Sequence, residues 1–200
     1  MTSLSRHSPR DFDPVVLGHH ETQAWASYYR REWWPALRSF VGMIAQGFGL
    51  GPRRTLIGAW HVLKANQAWA PVPTNDPDAA RASMRRFYEL VLAHSDLDFD
   101  PVRASELEVE WWRVHRAHQR DDAATKGELV RALVDLYSYV YSAPPASMHE
   151  AARWRAEAMD LSDAWVEAGC DLADPRLAAE RRALVASYAA LLDSVSRVPS

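Results

Sequence analysis

Apolar residues recur along most of the chain at the three- and four-residue spacing of an α-helix. The segment 126–142 shows this spacing most clearly, with an apolar face made of Leu129, Leu133, Leu136 and Val140. Segments in which apolar and polar residues alternate, as they do in a half-buried strand, do not occur. The pattern therefore predicts an all-α chain without a sheet.

Four Asp-Pro pairs, at 13–14, 76–77, 100–101 and 174–175, mark helix starts. An Asp side chain accepts hydrogen bonds from the free amides of the first turn, and proline fits the next position because no helical bond is needed there. Stretches that contain proline or glycine supply the remaining boundaries. These signals predict seven or eight helices. The first six segments are about 14–34, 36–48, 53–70, 77–95, 101–120 and 126–142. Another helix is predicted from the Pro144-Pro145 pair to about 168, and the last begins at 175.

The short connections predict how these helices pack. Short loops place consecutive helices side by side, so we expect a mostly antiparallel multi-helix bundle. Residues 14–198 are expected to form a single helical domain, and 1–13 a mobile tail. On the third helix, the apolar stripe of Leu56, Trp60 and Leu63 is expected to face the core.

Composition excludes several classes of protein. A single cysteine, Cys170, excludes an intramolecular disulfide framework and a cysteine-based zinc module, and it favours a cytoplasmic location. The chain has no run of about 18 apolar residues, so no membrane-spanning helix is predicted. The net charge of −3 is opposite in sign to that of typical nucleic-acid-binding proteins, so nucleic acid is not expected as a partner.

The densest group of ionisable residues lies on the helix predicted over 101–120. His118 continues the inward apolar line of that helix, and His115 and Glu108 lie beside it. His115 and His118 are three residues apart on one face, a spacing that lets both bind one metal ion. Without a metal, either histidine could act as a general base tuned by Glu108 or Glu21. His115, His118 and Glu108 are therefore the catalytic candidates.

Two further residues could complete a metal site. Glu21 lies on an apolar helix face, where a carboxylate is costly unless it is paired, protonated or bound to a metal. His61 lies at the edge of the apolar stripe of its own helix. Together with His115 and His118 they would form a mixed oxygen and nitrogen site suited to a divalent zinc or iron ion, which would activate a water molecule or a substrate oxygen.

One histidine at Trp60-His61 and a histidine pair two helices later are loosely similar to the DinB/maleylpyruvate isomerase-like bundles. That resemblance implies a metal held by three histidines. It covers only Trp60-His61 and the turn from His115 to His118. The pair is three residues apart, whereas in those bundles it is usually four apart, so the resemblance does not assign the chain to that family.

The same residues also have a purely structural interpretation. A histidine on an apolar face is usually hydrogen-bonded to a carboxylate or a carbonyl within the core. Glu21 could likewise pair with a buried arginine such as Arg31 or Arg38. No phosphate-binding loop, nucleophile elbow, His-Glu-x-x-His or Glu-x-x-His motif is present to decide between the two interpretations.

Aromatic residues supply the candidates for lining a pocket. Tyr137 and Tyr141 share a helix face, and Trp60 and Trp111 adjoin the candidate histidines. The first hypothesis is therefore a cytoplasmic protein that binds or acts on a small molecule. Its pocket would be lined by these four aromatic residues and would contain the histidines, with or without a metal.

Residues 33–75 contain no Asp or Glu, and they hold five of the eight glycines. Burial in the core, with the few cations reaching outward, is the first interpretation. The second is an interface with a partner or a second copy of the chain, through Trp33, Trp34, Phe40, Phe48 and Trp69. The third is contact with an anionic membrane surface. The second interpretation gives the alternative function, a non-catalytic interaction protein or homo-oligomer.

Overall fold

A computed structural model describes residues 8–121 and 124–196, which form eight α-helices and no strand. The helices are α1 (Pro14–Tyr29), α2 (Trp33–Phe48), α3 (Pro52–Trp69), α4 (Pro77–Leu92), α5 (Pro101–Asp121), α6 (Lys126–Tyr141), α7 (Pro145–Glu167) and α8 (Pro175–Val195). The all-α prediction is confirmed. None of the described helices is long and apolar enough to cross a membrane.

The eight helices form a closed ring. Each helix packs mainly against the one before it and the one after it, and α8 packs against α1. Because the connections are short, the helices alternate in direction around the ring. A Cβ atom at Gly18 of α1 would lie 2.6 Å from Cγ2 of Val185 on α8, so this glycine allows the close approach that completes the ring.

The Asp-Pro pairs begin helices as the sequence predicts. Asp13 accepts hydrogen bonds from two amides of the first turn of α1, and Asp76 and Asp174 each accept one in α4 and α8. Asp100 accepts one from the Val102 amide at the start of α5, at 2.9 Å. These four caps fix where half of the helices in the ring begin.

The break between α1 and α2 lies earlier than the sequence predicts. We expected a helix over 14–34 ended by Pro35, but α1 ends at Tyr29 and Pro35 lies in the first turn of α2. Proline does not disturb a helix there, because first-turn amides have no partner within the helix. The chain turns instead at Arg31, whose φ of 60° ends the helical conformation.

The expected inward stripe of α3 is wrong at two of its three residues. Leu63 is buried, but Leu56 and Trp60 are 55% and 50% exposed. The buried face instead carries small residues such as Ala59 and Gly58, where a Cβ atom would lie 3.4 Å from the Phe87 ring of α4. Close packing against α4 selects small side chains on this face, and hydrophobicity alone points to the wrong side of the helix.

Residues 8–13 pack against one end of the ring. Phe12 is buried and contacts Tyr188 edge-on, with ring centroids 6.1 Å apart. Arg10 Nη2 donates to the carbonyl of Tyr141 at 2.9 Å. This part of the expected tail is therefore held in place, while its residues 1–7, like residues 197–198 of the expected domain, lie outside the described residues.

Candidate functional site

The ring encloses a cavity of about 430 Å³ to which all eight helices contribute residues. Small-molecule sites in proteins typically measure about 300–1,000 Å³. The cavity is therefore large enough for one small organic molecule.

Aromatic side chains make up much of the cavity wall. The lining contains tryptophan, phenylalanine and tyrosine from seven of the eight helices and from the segment before α1: Phe12, Trp25, Tyr28, Tyr29, Phe40, Phe48, Trp69, Phe87, Tyr88, Trp111, Trp112, Tyr137, Tyr141 and Tyr188. Such walls favour apolar and planar ligand surfaces. The few polar groups between them can therefore fix the orientation of a bound molecule.

The cavity opens at one end of the ring. Its exposed lining residues are Arg31, Val72, Gln119 and Arg120, and the remaining lining residues are buried or half-buried. These four residues lie after α1, after α3 and in the last turn of α5, at the same end of the alternating helices. We refer to this end as the mouth.

Glu21 forms a buried ion pair with Arg155 in the cavity wall. The Glu21 side chain is 1% exposed and receives both terminal amino groups of the Arg155 guanidinium, with Nη1 at 3.1 Å from Oε2. The Tyr188 hydroxyl donates to the same Oε2 at 2.6 Å. The guanidinium also lies 5.9 Å from the Trp25 ring and 5.6 Å from the Trp111 ring. The structural interpretation of Glu21 thus holds, although its partner is neither Arg31 nor Arg38.

Glu108 is a second carboxyl group of the cavity wall. Tyr88 donates its hydroxyl to Glu108 Oε2 at 2.7 Å. Burial raises the pKa of Glu108, and the Tyr88 hydrogen bond and the Arg155 charge offset this only in part. A carboxyl group with a raised pKa keeps its proton to a higher pH than an ordinary carboxyl group does, which suits it to donate a proton to a bound molecule.

His115 faces the cavity and is paired with a carboxylate behind it. Its Nε2 lies 3.0 Å from Asp163 Oδ2, and its ring stacks on Trp25 with centroids 6.4 Å apart. Asp163 also accepts hydrogen bonds from Tyr29, at 3.3 Å, and from Gln119. An imidazole that donates from Nε2 to a carboxylate keeps Nδ1 as a proton acceptor, so this pair can act as a general base.

His118 does not line the cavity, although the sequence places it on the inward line of α5. Its Nδ1 lies 2.8 Å from the Ala124 carbonyl, and its Nε2 lies 3.2 Å from Asp160 Oδ1. The carbonyl and the carboxylate both raise the pKa of His118 against the opposing effect of burial. Asp160 also binds Lys126, with Nζ at 2.7 Å. His118 thus ties α5 to α7 instead of reaching a ligand.

The four residues proposed for a metal site do not come together. Glu21 is bound by Arg155, while His115 and His118 meet different carboxylates of α7. His61 lies outside the cavity lining, where burial and the charge of Arg86 lower its pKa. Within residues 8–121 and 124–196 no three His, Cys, Asp or Glu side chains are grouped to hold a metal ion. The three-histidine arrangement implied by the DinB-like resemblance is therefore not found in the part of the chain that the structure describes.

The aromatic candidates divide in the same way. Trp111, Tyr137 and Tyr141 are buried and line the cavity. Trp60, expected beside them, is half exposed on the outer face of α3, which corrects its assignment to the pocket.

The interface candidates of the acid-free segment are mostly inside the ring. Trp69 and Phe40 are buried and, like the half-buried Phe48, line the cavity. Trp33 is half-buried, and Trp34 alone among the five is fully open to solvent, at 81% exposure. Burial in the core, the first interpretation, therefore describes most of these aromatic residues.

Arg155 and Asp163 are the site residues that the sequence analysis missed. Arg155 falls on the inward stripe of α7 with Ala151, Ala158 and Ser162, all of them buried. A lone cation on a stripe of small residues, opposite an unexplained inward Glu21, is a signal from which the pairing could have been inferred. Asp163 gives no comparable signal, because it lies beside that stripe, where a polar residue is usual on an ordinary helix.

Comparison of the chain with protein-family models, curated proteins and solved structures found no match in any of the three.

Proposed function

We propose that this protein binds one small, mostly apolar molecule inside the helical ring. The observation that carries the proposal is the aromatic-walled cavity of about 430 Å³, whose exposed lining residues lie at one end of the ring. The cysteine content supports placing this activity in the cytoplasm.

The chemistry of the cavity walls supports an apolar occupant. Water needs two to four polar partners at each position, and much of the lining is aromatic or aliphatic. An apolar ligand therefore satisfies these parts of the wall better than water does.

Catalysis would extend this proposal through His115 and Glu108. Both side chains line the cavity, one backed by Asp163 and the other bonded to Tyr88. A bound molecule with an acidic C–H or O–H could lose its proton to His115, while a protonated Glu108 donates elsewhere on the molecule. His118, the third catalytic candidate, has no access to such a ligand.

A neutral fluorescent probe tests the binding proposal. We expect the protein to bind about one N-phenyl-1-naphthylamine molecule, with energy transfer from the four tryptophans that line the cavity. The change Val62→Trp places a larger side chain in the lining and should weaken binding at least about tenfold, because the probe would have to displace it. Fluorescence titration measures both affinities.

The matched control is Val102→Trp, which makes the same substitution at an exposed position of α5. This control should bind the probe like the wild type. Absence of probe binding to the wild type, or equal binding by the Val62→Trp variant, would overturn the proposal.

The outer face of α3 favours a second candidate function, self-association. Three large apolar side chains lie exposed within two turns of this helix: Leu56 at 55%, Ile57 at 44% and Trp60 at 50% exposure. The flanking residues Arg53 and Lys64 are also exposed. Clustered exposed apolar side chains are typical of association surfaces. This observation supports the alternative of a homo-oligomer that docks through residues 33–75.

Light scattering with the substitution Trp60→Glu tests self-association. The wild type should be a dimer or larger at high concentration, and the variant should be a monomer, because burying an unpaired carboxylate in the interface is unfavourable. The control Leu172→Glu introduces the same charge at an exposed residue of the α7–α8 loop. A wild type that is monomeric throughout would contradict this candidate function.

A further inference from the structure

Three arginines surround the mouth of the cavity. Arg31 follows α1, and Arg116 and Arg120 lie one turn apart near the end of α5, and all three belong to the cavity lining. Arg31 and Arg120 are exposed, whereas Arg116 is half-buried. A molecule that enters the ring therefore passes a rim of guanidinium groups.

Two of these arginines are held in place by consecutive carbonyls at the end of α3. Arg116 Nη2 donates to the Trp69 carbonyl at 2.8 Å, and Arg31 Nη2 donates to the Ala70 carbonyl at 2.9 Å. The Arg116 guanidinium also lies 4.1 Å from the centre of the Trp69 ring. Because one edge of each guanidinium is fixed in this way, the other nitrogens have a defined orientation before any ligand binds.

Arg116 retains a donor without an acceptor. Its Nη1 is buried and has no hydrogen-bond partner among the described residues. Burial lowers the pKa of Arg116, and the charge of Arg120 adds to this effect, while the neighbouring Tyr28 hydroxyl opposes it. Leaving a buried guanidinium nitrogen unpaired is costly, so an anionic acceptor inside the cavity would be favoured at Nη1.

No described carboxylate neutralises the rim. None of the three arginines forms a salt bridge with any acidic side chain of residues 8–120 and 124–196. Asp163, at the same end of the ring, is occupied by His115, Tyr29 and Gln119. The rim thus carries positive charge beside an apolar interior.

We propose that the molecule bound in the ring is an amphipathic organic acid, whose apolar body fills the cavity and whose carboxylate or phosphate lies at the mouth against Arg116 and Arg31. This inference rests on the binding function proposed above and names the ligand class. The guanidinium groups of Arg116 and Arg31 can bind either a carboxylate or a phosphate. The ligand class is therefore defined by a negative charge at the mouth and an apolar body inside the cavity.

Displacement of bound N-phenyl-1-naphthylamine tests the inference. The competitors are decanoate, decyl phosphate and the neutral 1-decanol, which share one alkyl chain. At least one of the two anions should displace the probe at a concentration about tenfold or more below that of 1-decanol, as expected for one charge-assisted hydrogen-bonded pair. The anion that does so identifies the head group. The change Arg116→Gln should weaken displacement by that anion more than it weakens displacement by 1-decanol, so that the preference for the anion is lost.

Controls separate this inference from the binding proposal and from misfolding. Arg113→Gln alters an exposed arginine of the same helix that pairs with Glu110, and it should keep the preference for the anion. Arg31→Gln gives a second test if the Arg116 variant melts at a lower temperature than the wild type. Equal displacement by all three competitors, or a preference that persists in both arginine variants, would overturn the inference alone. Failure of both the probe and 1-decanol to bind would overturn the binding proposal itself.

Discussion

The substitution Arg155→Met should lower the free energy of unfolding by about 3–5 kcal/mol, measured by urea denaturation at pH 7. The change leaves the Glu21 carboxylate, which is 1% exposed, without its cationic partner. Tyr188 remains as a hydrogen-bond donor to Glu21, but a hydroxyl does not neutralise the charge. An unpaired buried carboxylate is among the most costly groups in a folded protein.

A double-substitution cycle separates the charge from the packing of the side chain. With Glu21→Gln already present, Arg155→Met should cost less than it does alone, because no uncompensated charge is created. The control Arg153→Met removes a half-buried arginine of the same helix, which pairs at the surface with Glu150, and it should change stability by about 1 kcal/mol or less. A loss of less than about 1 kcal/mol for Arg155→Met would contradict the role of the pair.

The substitution Glu180→Gln should make the stability of the protein less sensitive to rising pH between pH 5 and pH 8. Glu180 of α8 is fully buried, and neither of its carboxyl oxygens has a hydrogen-bond partner among the described residues. Burial, together with the charges of Glu21 and Asp163, raises the pKa of Glu180 to about 9. The folded protein thus keeps a proton on Glu180 at neutral pH.

The sign of the pH dependence follows from the two pKa values. The unfolded chain releases the proton near its ordinary pKa of 4.5, whereas the folded chain holds it up to about pH 9. The stabilising contribution is therefore complete below pH 4.5 and is lost as the pH rises toward 9, by about 1.4 kcal/mol per pH unit. Between pH 5 and pH 8 this loss amounts to about 4 kcal/mol, and the neutral glutamine does not undergo it.

The measurement is the difference in unfolding free energy between the Glu180→Gln variant and the wild type across that pH range. Taking the difference removes the titrations that both proteins share. Glu167→Gln, at an exposed position of α7, should show no such trend. A difference that stays constant from pH 5 to pH 8 would show that Glu180 is ionised in the folded state.

Local signals in the sequence predict the helices of this protein because each signal acts within one turn. An Asp side chain caps the amides that directly follow it, so Asp13 and Asp174 mark helix starts wherever their helices pack. Pro35 is different, because a proline breaks a helix in its interior but fits the first turn. Its effect therefore depends on where the helix begins, and Pro35 lies in the first turn of α2. The neighbouring turn at Arg31 has a positive φ that the identity of the residue does not announce.

The candidate site could be predicted only in part, because it depends on the ring. The periodicity of α5 predicts the inward position of Trp111 and places His115 and Glu108 beside it, and all three line the cavity. It also predicts an inward His118, which does not line the cavity. The partners of the polar residues do not, since Glu21 and Arg155 are 134 residues apart. Trp60 was misplaced because hydrophobicity marks a face as apolar without stating which neighbour lies against it.

The ring topology makes most of the packing local in sequence. Each of its extensive interfaces joins consecutive helices except the one between α8 and α1. Helix pairs that are adjacent in sequence form with little loss of chain entropy, so the entropic cost of folding this topology is concentrated at that one seam. Gly18 and the hydrogen bond from Tyr188 to Glu21 lie on it. The cavity inside the ring is therefore complete only after the seam has closed, so the residues that join α8 to α1 decide when the folding chain acquires its interior space.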